Sequence, residues 1–132
     1  MLFDLNAQRK IVDIALQGDK LYTLSQGGEI SLWDLRMRDI VCSVLDDGNY
    51  KPTMIKASPD EKYFATGSYS GIVNLYNSKV FSSESKPQTS FDNLTTAINV
   101  ISFNHNSEII AFGSKWKPNA FRLAHINSHN VY

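Results

Sequence analysis

Apolar and polar residues alternate along two short runs of this 132-residue chain, on either side of a pair of glycines. The stretch from Leu21 to Asp34 reads LYTLSQGGEISLWD. Such alternation is typical of a half-buried β-strand, because successive side chains point to opposite faces of a sheet. Gly27-Gly28 supplies the positive φ angles that a tight hairpin turn needs. The pattern therefore predicts a β-hairpin that ends on a Trp-Asp pair.

The hairpin pattern recurs along the chain. Phe64 to Asn77 reads FATGSYSGIVNLYN and matches the first stretch at a constant offset of 43 residues. A weaker third copy begins at Ile110, where IAFGSKWKPNAFRL carries two extra residues in the turn. Upstream, MIKASPDEKYF and VISFNHNSEII match without a gap at an offset of 46. This period predicts β-propeller blades, which repeat about every 40–45 residues.

The repeats divide the chain into blades and predict an all-β fold with about three four-stranded antiparallel blades. Residues 1–10 are assigned to the outer strand of a preceding blade and a link. Blade one covers 11–51, blade two 52–97 with an inserted loop at 77–88, and blade three, which is incomplete, 98–132. Propellers have about four to eight blades. We therefore expect a piece of a longer protein, with blade faces exposed at both ends and a tendency to aggregate in isolation.

The motif LYTLSQGGEISLWD resembles the second half of a WD repeat, and the later copies are similar to degenerate WD repeats. Further details are the runs CSVLDDG, GSYSGIVNLYN and SKVFSSESKPQ and the segment from Phe91 to Ile126. Together they resemble the C-terminal propeller of the U3 small nucleolar RNA-associated protein 18 family. This narrower resemblance is carried by roughly Gly67 to Tyr132.

The family resemblance implies a function. It implies a non-catalytic scaffold subunit of the small-subunit processome, the U3 small nucleolar ribonucleoprotein that supports maturation of 18S ribosomal RNA. The expected location is the nucleolus, within the nucleus. The expected partners are other proteins of this large ribonucleoprotein complex, and indirect or peripheral contact with U3 RNA or pre-ribosomal RNA is left open. A generic WD adaptor in ubiquitin ligation or trafficking is the alternative.

The WD resemblance also implies structural positions. WD blades often contain a hydrogen-bonded His-Ser-Trp-Asp set, of which blade one keeps Ser25, Trp33 and Asp34 and has no preceding histidine. We interpret Trp33 and Tyr76 as packing residues, because aromatic side chains dominate core burial. The structural repeat positions are Gly28, Trp33, Asp34, Gly71, Tyr76 and Asn77.

The composition of the chain limits the functional classes of protein to which it can be assigned. Thirteen basic and thirteen acidic residues give no formal net charge, whereas stand-alone nucleic-acid binders usually carry a basic field. The single Cys42 lies in an apolar run and is expected to be a buried, reduced thiol. The sequence contains neither a membrane-spanning apolar stretch nor the apolar region of a signal peptide. We therefore expect the protein to be in a reducing compartment and to have no membrane partner.

The chain lacks the sequence patterns of a catalytic or metal site. His125 and His129 have the spacing of a helical zinc pair, but no helix is predicted there, and His105 lies in a predicted turn. No serine lies in a G-x-S-x-G motif, and Gly27-Gly28 precedes a strand and not a phosphate-binding helix. We predict no catalytic residue, metal, cofactor or small-molecule substrate. A propeller enzyme would need a nucleophile or metal cluster at the central channel.

Loops carry the candidate binding residues, because loops on a rigid scaffold tend to carry function. In the WD family the loop between second and third strands and the inter-blade link lie on one rim of the disc. Lys115-Trp116-Lys117 places an aromatic between two cations, which suits a protein hot spot or base stacking beside phosphates. Alternatively, Trp116 folds back over the blade edge. The predicted rim residues are Asp46, Asp47, Tyr50, Tyr69, Lys115, Trp116 and Lys117.

Overall fold

The structure is a computed structural model that describes residues 10–37, 39–45, 51–77, 89–91, 94, 96–114, 121–126 and 130–131. These residues form three antiparallel sheets of four strands each, and each sheet uses four consecutive strands in chain order. None of the described residues is helical. The prediction of an all-β chain is confirmed. Residues 1–9, which include the predicted outer strand, and residues 78–88 of the loop predicted at 77–88 lie outside the described residues. Asn77, the first residue of that predicted loop, is instead the last residue of a strand.

The first sheet contains β1 (Ile11–Gln17), β2 (Lys20–Ser25), β3 (Glu29–Asp34) and β4 (Asp39–Leu45). The second contains β5 (Pro52–Ala57), β6 (Tyr63–Ser68), β7 (Val73–Asn77) and β8 (Thr89–Phe91). The third contains β9 (Val100–Phe103), β10 (Ile109–Gly113), β11 (Phe121–His125) and β12 (Asn130–Val131). The first strands of neighbouring sheets contact one another, β1 with β5 and β5 with β9. This arrangement is that of propeller blades whose first strands lie on the inner side.

The second hairpins of the first two sheets repeat in atomic detail. The amides of Gly28 and Gly71 donate to the carbonyls of Ser25 (3.0 Å) and Ser68 (3.3 Å). Each serine hydroxyl also accepts the amide four residues further on, at 3.1 and 3.0 Å. Both glycines have positive φ, 84° and 92°, and a Cβ at Gly71 would collide with the carbonyl oxygen of Leu94. Glycine is therefore favoured in both turns because φ is positive, and at Gly71 also because the Leu94 carbonyl leaves no space for a side chain.

In all three sheets, the turn between the first and second strands has the same backbone conformation, although the residue types differ. Gly18, Glu61 and Ser107 all have left-handed φ angles, 61°, 64° and 59°. Each stands two residues before the second strand of its sheet. Residues other than glycine adopt this conformation uncommonly. The surrounding hydrogen bonds therefore set the turn conformation in the second and third sheets.

The second sheet is buried on both faces. Towards the first sheet, the ring of Phe64 stacks on Tyr22 and Tyr76, with centroids 4.7 and 5.1 Å away. Towards the third sheet, Phe91 stacks on Phe112 at 5.5 Å. Stacked blades stabilise each other because a single sheet cannot cover its own apolar faces. The cluster between second and third sheets consists of Ala65, Val73, Leu75, Phe91, Leu94, Ile98, Ile101, Ile110, Phe112, Ala124 and Ile126.

Directional hydrogen bonds join the first sheet to the second. The buried Gln17 amide donates to the carbonyl oxygens of Ser58 (3.1 Å) and Tyr63 (3.0 Å). Its own oxygen accepts the Tyr22 hydroxyl at 2.8 Å. Nearer the start of β1, the Asp13 carboxylate accepts the amide of Ile55 at 2.9 Å. Because unpaired buried polar groups are costly, these bonds select one register between the two sheets.

Corresponding isoleucines differ in exposure according to the neighbours of their sheets. Ile14 pairs with Thr23 across β1 and β2, as Ile55 pairs with Thr66 across β5 and β6. Ile55 is 1% exposed and Ile101, at the matching place in β9, is 3% exposed, whereas Ile14 is 54% exposed. At the other end of the described chain, Phe121 of β11 is also 54% exposed. On the sides that face away from the second sheet, β1 and β11 therefore each present exposed apolar side chains.

Replacing Phe64 by alanine should lower the free energy of unfolding by about 3–5 kcal/mol, because it removes the central ring of the stack and leaves a cavity. Chemical denaturation followed by fluorescence measures this change. Tyr69→Ala is the matched control, because Tyr69 is an exposed aromatic residue of the same sheet. Equal effects of both substitutions would contradict the assignment of the stack as the core of the first interface.

A candidate partner-binding rim

The turn between β6 and β7 is tied to the links on both sides of its sheet. The amide of Tyr69 donates to the carbonyl of Lys51 (2.8 Å), which lies in the link before β5. The carbonyl of Ser68 accepts the amide of Ile98 (3.0 Å), in the link before β9. Ile98 therefore lies in the link, and β9 begins two residues later, at Val100. The turn and both links therefore share one rim, as the WD resemblance implied.

Tyr69 presents an exposed aromatic side chain on this rim. It is 60% exposed, and the Lys51 ammonium lies 5.6 Å from the centre of its ring. That distance permits a cation–π attraction, worth about 0.5–1 kcal/mol at exposed sites. The other exposed large hydrophobic residues in the described ranges belong to the first and third sheets or their turns. The exposure of Tyr69 is thus not the result of an open sheet face.

The first blade repeats this arrangement with a different side chain. The amide of Gln26 donates to the carbonyl of Lys10 at 2.9 Å. Gln26 precedes Tyr69 by 43 residues and Lys10 precedes Lys51 by 41. Both lysines are exposed. The repeat thereby places two lysines and one aromatic on one rim.

Most of the predicted rim residues lie outside the described residues. This applies to Asp46, Asp47, Tyr50, Lys115, Trp116 and Lys117. Tyr69 is the predicted rim residue that the structure describes. Lys10 and Lys51 join it, although they were not predicted. A lysine directly before β1 and before β5, in QRKIV and NYKPT, was the available signal.

The buried indole of Trp33 has a hydrogen-bond acceptor outside the set of residues that the WD pattern suggested. Its Nε1–H donates to the Thr23 hydroxyl at 2.9 Å, and both residues are buried. Ser25, assigned to the polar set from sequence, instead closes the turn before β3. Asp34 accepts the amide of Arg36 at 2.9 Å. Thr23 faces Ser31 across the strands, so its side chain lies diagonal to Trp33 on the same face of the sheet.

Tyr76, Trp33 and Asn77, three of the structural repeat positions, lie in different environments. Tyr76 is fully buried and belongs to the cluster between first and second sheets. Trp33 lies on the face of the first sheet that points away from the second, since the adjacent Leu32 belongs to that cluster. Asn77 is exposed at the end of β7.

The opposite rim carries charges with local partners. Arg36 lies 3.7 Å from Asp19 and 3.8 Å from Asp34, and such exposed pairs contribute little stability. The pKa of Asp60 is lowered overall. Partial burial alone would raise this pKa, but hydrogen bonds from the Ser58 hydroxyl and the Lys62 amide, together with the Lys62 charge, outweigh that effect.

An open cavity of about 500 Å³ lies where the sheets converge on the opposite rim. Of the described residues that line it, Lys56 and Glu61 carry charge. Among all described residues, no three His, Cys, Asp or Glu side chains are grouped to hold a metal ion. His105 lies in the turn before β10 and His125 at the end of β11, while His129 is outside the described residues.

A search for membrane-spanning helices in the described residues finds no candidate of sufficient length and hydrophobicity.

Comparison with solved structures defines the class of protein. The chain superimposes on the crystal structure of RRP9 WD40 repeats with a TM-score of 0.83, over 96% of this chain and 38% of that one. At 12% sequence identity this likeness shows the fold alone. Together with the repeated turns, it makes the chain a stretch of WD-repeat β-propeller.

Comparison with curated proteins gives a narrower result, although no family model matches the chain. A Drosophila melanogaster protein named "U3 small nucleolar RNA-associated protein 18 homolog" is 42% identical over 105 residues, 78% of this chain and 21% of that protein. The Mus musculus protein of that name is 36% identical over 115 residues, with shares of 86% and 21%. The Arabidopsis thaliana protein is 32% identical over 131 residues, with shares of 97% and 24%.

These similarities confirm the family resemblance that the motifs indicated: the chain is homologous to the U3 small nucleolar RNA-associated protein 18 family. The chain spans about a fifth to a quarter of the length of these relatives, 21–24%.

The Trp33–Thr23 hydrogen bond can be tested by Thr23→Val, which keeps the shape and removes the acceptor. The buried indole donor is then unpaired, and we expect a loss of about 1–3 kcal/mol in stability. The indole N–H resonance of Trp33 should shift in NMR spectra. Ser25→Ala is the control and should leave that resonance in place. A shift with Ser25→Ala alone would show that Ser25, and not Thr23, accepts the indole hydrogen bond.

Proposed function

We propose that this chain is part of a non-catalytic WD-repeat scaffold subunit of the small-subunit processome, the U3 small nucleolar ribonucleoprotein. There it supports maturation of 18S ribosomal RNA, in the nucleolus. The observation that carries this proposal is the 32–42% identity to proteins named U3 small nucleolar RNA-associated protein 18 over 78–97% of the chain. Because the match covers only part of those proteins, the role of the whole protein is carried over as a proposal.

The geometry supports scaffolding through the way that the rim turns are held. The turn of Tyr69 is hydrogen-bonded to Lys51 and to Ile98, and the sheet beneath it is buried on both sides. A side chain on such a support loses little further freedom when it binds. The rim therefore suits persistent contact with other proteins of a large particle, and contact with U3 RNA or pre-ribosomal RNA is peripheral.

The repeat extends the proposed contact surface to the third blade. Lys115 follows Gly113-Ser114 as Tyr69 follows Gly67-Ser68. We accordingly assign Lys115, Trp116 and Lys117 to the same rim, with Asp46, Asp47 and Tyr50 in the link that leads to Lys51. A surface with aromatic residues among charges matches the composition of protein interaction hot spots.

The composition of the described cavity supports the non-catalytic part of the proposal. The open cavity contributes one lysine and one carboxylate, Lys56 and Glu61, without a described His, Cys or metal-binding group. A small-molecule substrate, a cofactor and a membrane have no place in the proposal.

Affinity purification of the tagged full-length protein that contains this segment tests the proposal. We expect enrichment of U3 RNA and of processome proteins, and fluorescence of a fused reporter in the nucleolus. The Phe64→Ala variant, whose blade packing is damaged, serves as the control and should enrich both less. Recovery of ubiquitin-ligase or trafficking proteins without U3 RNA would replace the proposal by the adaptor alternative.

The rim assignment is tested separately, by alanine substitution of Tyr69 or of Lys115, Trp116 and Lys117 together. If these residues form a hot spot, incorporation into the particle should weaken by roughly 30-fold, since a hot-spot residue contributes about 2 kcal/mol or more. Arg36→Ala, an exposed cation on the opposite rim, is the matched control. Normal incorporation of both rim variants would show that the rim is dispensable while leaving the scaffold proposal intact.

A further inference from the structure

Lys10 and Lys51 occupy equivalent places in neighbouring blades. Each stands directly before the first strand of its sheet, β1 or β5, and each is exposed. Their carbonyls accept the amides of Gln26 and Tyr69, at 2.9 and 2.8 Å. Strands β1 and β5 contact one another, and neighbouring sheets pack about 10 Å apart. The rim therefore presents two lysines side by side, separated by one sheet spacing.

An aromatic side chain stands beside one of these lysines. Tyr69 is 60% exposed, and the Lys51 ammonium lies 5.6 Å from the centre of its ring. In the first blade the corresponding residue, Gln26, is also exposed. We name Lys10, Gln26, Lys51 and Tyr69 together the lysine–tyrosine surface. It combines two cations with an apolar ring, on a backbone that hydrogen bonds hold in place.

The described acidic side chains do not neutralise the two lysines. Asp13 accepts a backbone amide of β5 at 2.9 Å. Glu29 lies on the face of the first sheet that points away from the second, since the adjacent Ile30 belongs to the cluster between them. Neither lysine has an ion-pair partner among the described residues. The other acidic side chains that the structure describes lie towards the opposite rim and are Asp19, Asp34, Asp60, Glu61 and Glu108. Both ammonium groups are therefore available to carboxylates of another molecule.

The spacing of the lysines matches that of side chains along an extended peptide. In the polyproline II conformation, which is common in unfolded segments, side chains three residues apart point to the same side and lie about 9 Å apart. Two carboxylates at that spacing reach both lysines at once. We propose that the lysine–tyrosine surface binds an extended acidic segment of a partner protein, with one carboxylate at Lys10 and another, about three residues away, at Lys51.

This inference rests on the proposed function, because it names the kind of partner that the rim takes. The rim residues assigned by the repeat do not change the sign of the charge. Lys115 and Lys117 balance Asp46 and Asp47, so the excess of positive charge comes from the lysine–tyrosine surface.

RNA is the other polyanion that two lysines contact, and the structure favours protein. Strong binding of nucleic acid draws on many phosphate contacts, whereas the chain as a whole has no net charge. A base stacks on the face of an aromatic ring, and the Lys51 ammonium already lies over the ring of Tyr69. A carboxylate instead pairs with that ammonium and leaves it beside the ring.

Reversal of both charges in the full-length protein tests the inference. The double variant Lys10→Glu with Lys51→Glu should enter the particle about tenfold less well, because two attractions become repulsions. Both side chains are exposed, so the melting transition should be retained. Lys10→Arg with Lys51→Arg keeps the charges and should enter normally, as should Lys20→Glu, an exposed charge at the start of β2 on the opposite rim. Normal entry of the double glutamate variant would overturn the inference.

Photo-crosslinking in the complex that purifies with the protein identifies the occupant. Gln26 is replaced by p-benzoylphenylalanine, which keeps the backbone amide that bonds to Lys10, and cross-linked peptides are identified by mass spectrometry. We expect a protein segment with two acidic residues about three positions apart. Exchange of those two residues for lysine should weaken assembly, and the double glutamate variant should restore it. A cross-link to RNA, a segment without such a pair, no cross-link, or exchange without restoration would each overturn the inference.

Failure of this inference is distinguishable from failure of the proposed function. Recovery of U3 RNA with a cross-link to RNA would retain the function and overturn the acidic partner. Recovery of another complex without U3 RNA, in which an acidic segment is cross-linked, would retain the acidic partner and replace the function.

Discussion

The need to cover both apolar faces of each four-stranded sheet governs this structure. The second sheet meets that need with the Tyr22–Phe64–Tyr76 stack on one side and a mainly aliphatic cluster on the other. The first and third sheets have one described neighbour each. Stability is consequently a property of adjacent pairs of sheets, as in other repeat architectures.

Apolar contact alone does not fix how one sheet is positioned against the next. The hydrogen bonds between the sheets fix that position, because they are directional. Gln17 uses both of its amide donors and its oxygen in bonds that are possible in one register of the first sheet against the second. Asp13 adds a bond to the backbone of β5. The inner strands are thereby aligned, and the turns at their ends meet at a common rim. Tyr69 owes its exposed position to that alignment and to the backbone bond from its amide to Lys51.

Much of the fold was predictable because its signals are local. The offset of 43 residues located two equivalent turns. The hydrogen bonds made by Ser25 in the first turn are repeated by Ser68 in the second. The rim position of Tyr69 followed from the WD resemblance. The WD resemblance grouped Ser25, Trp33 and Asp34 in one polar set without a bond between particular residues, and the structure selects Thr23 as the acceptor for the Trp33 indole. That choice depends on which side chains share a sheet face at diagonal positions, and on how each turn ends its strand. Lys51 was not predicted because the bond that brings it beside Tyr69 uses its backbone carbonyl, which any residue could supply.

Alternation with period two and glycines at turn positions were sufficient to specify the strands, the hairpins and the class of fold, because these features depend on neighbours along the chain. Burial depends on neighbours in space. Ile14, Ile55 and Ile101 occupy the same place in three similar strands, yet the first is exposed and the other two are buried. Nothing within each strand distinguishes them. The difference arises only when a preceding sheet packs over a strand, and that packing is decided by the tertiary structure.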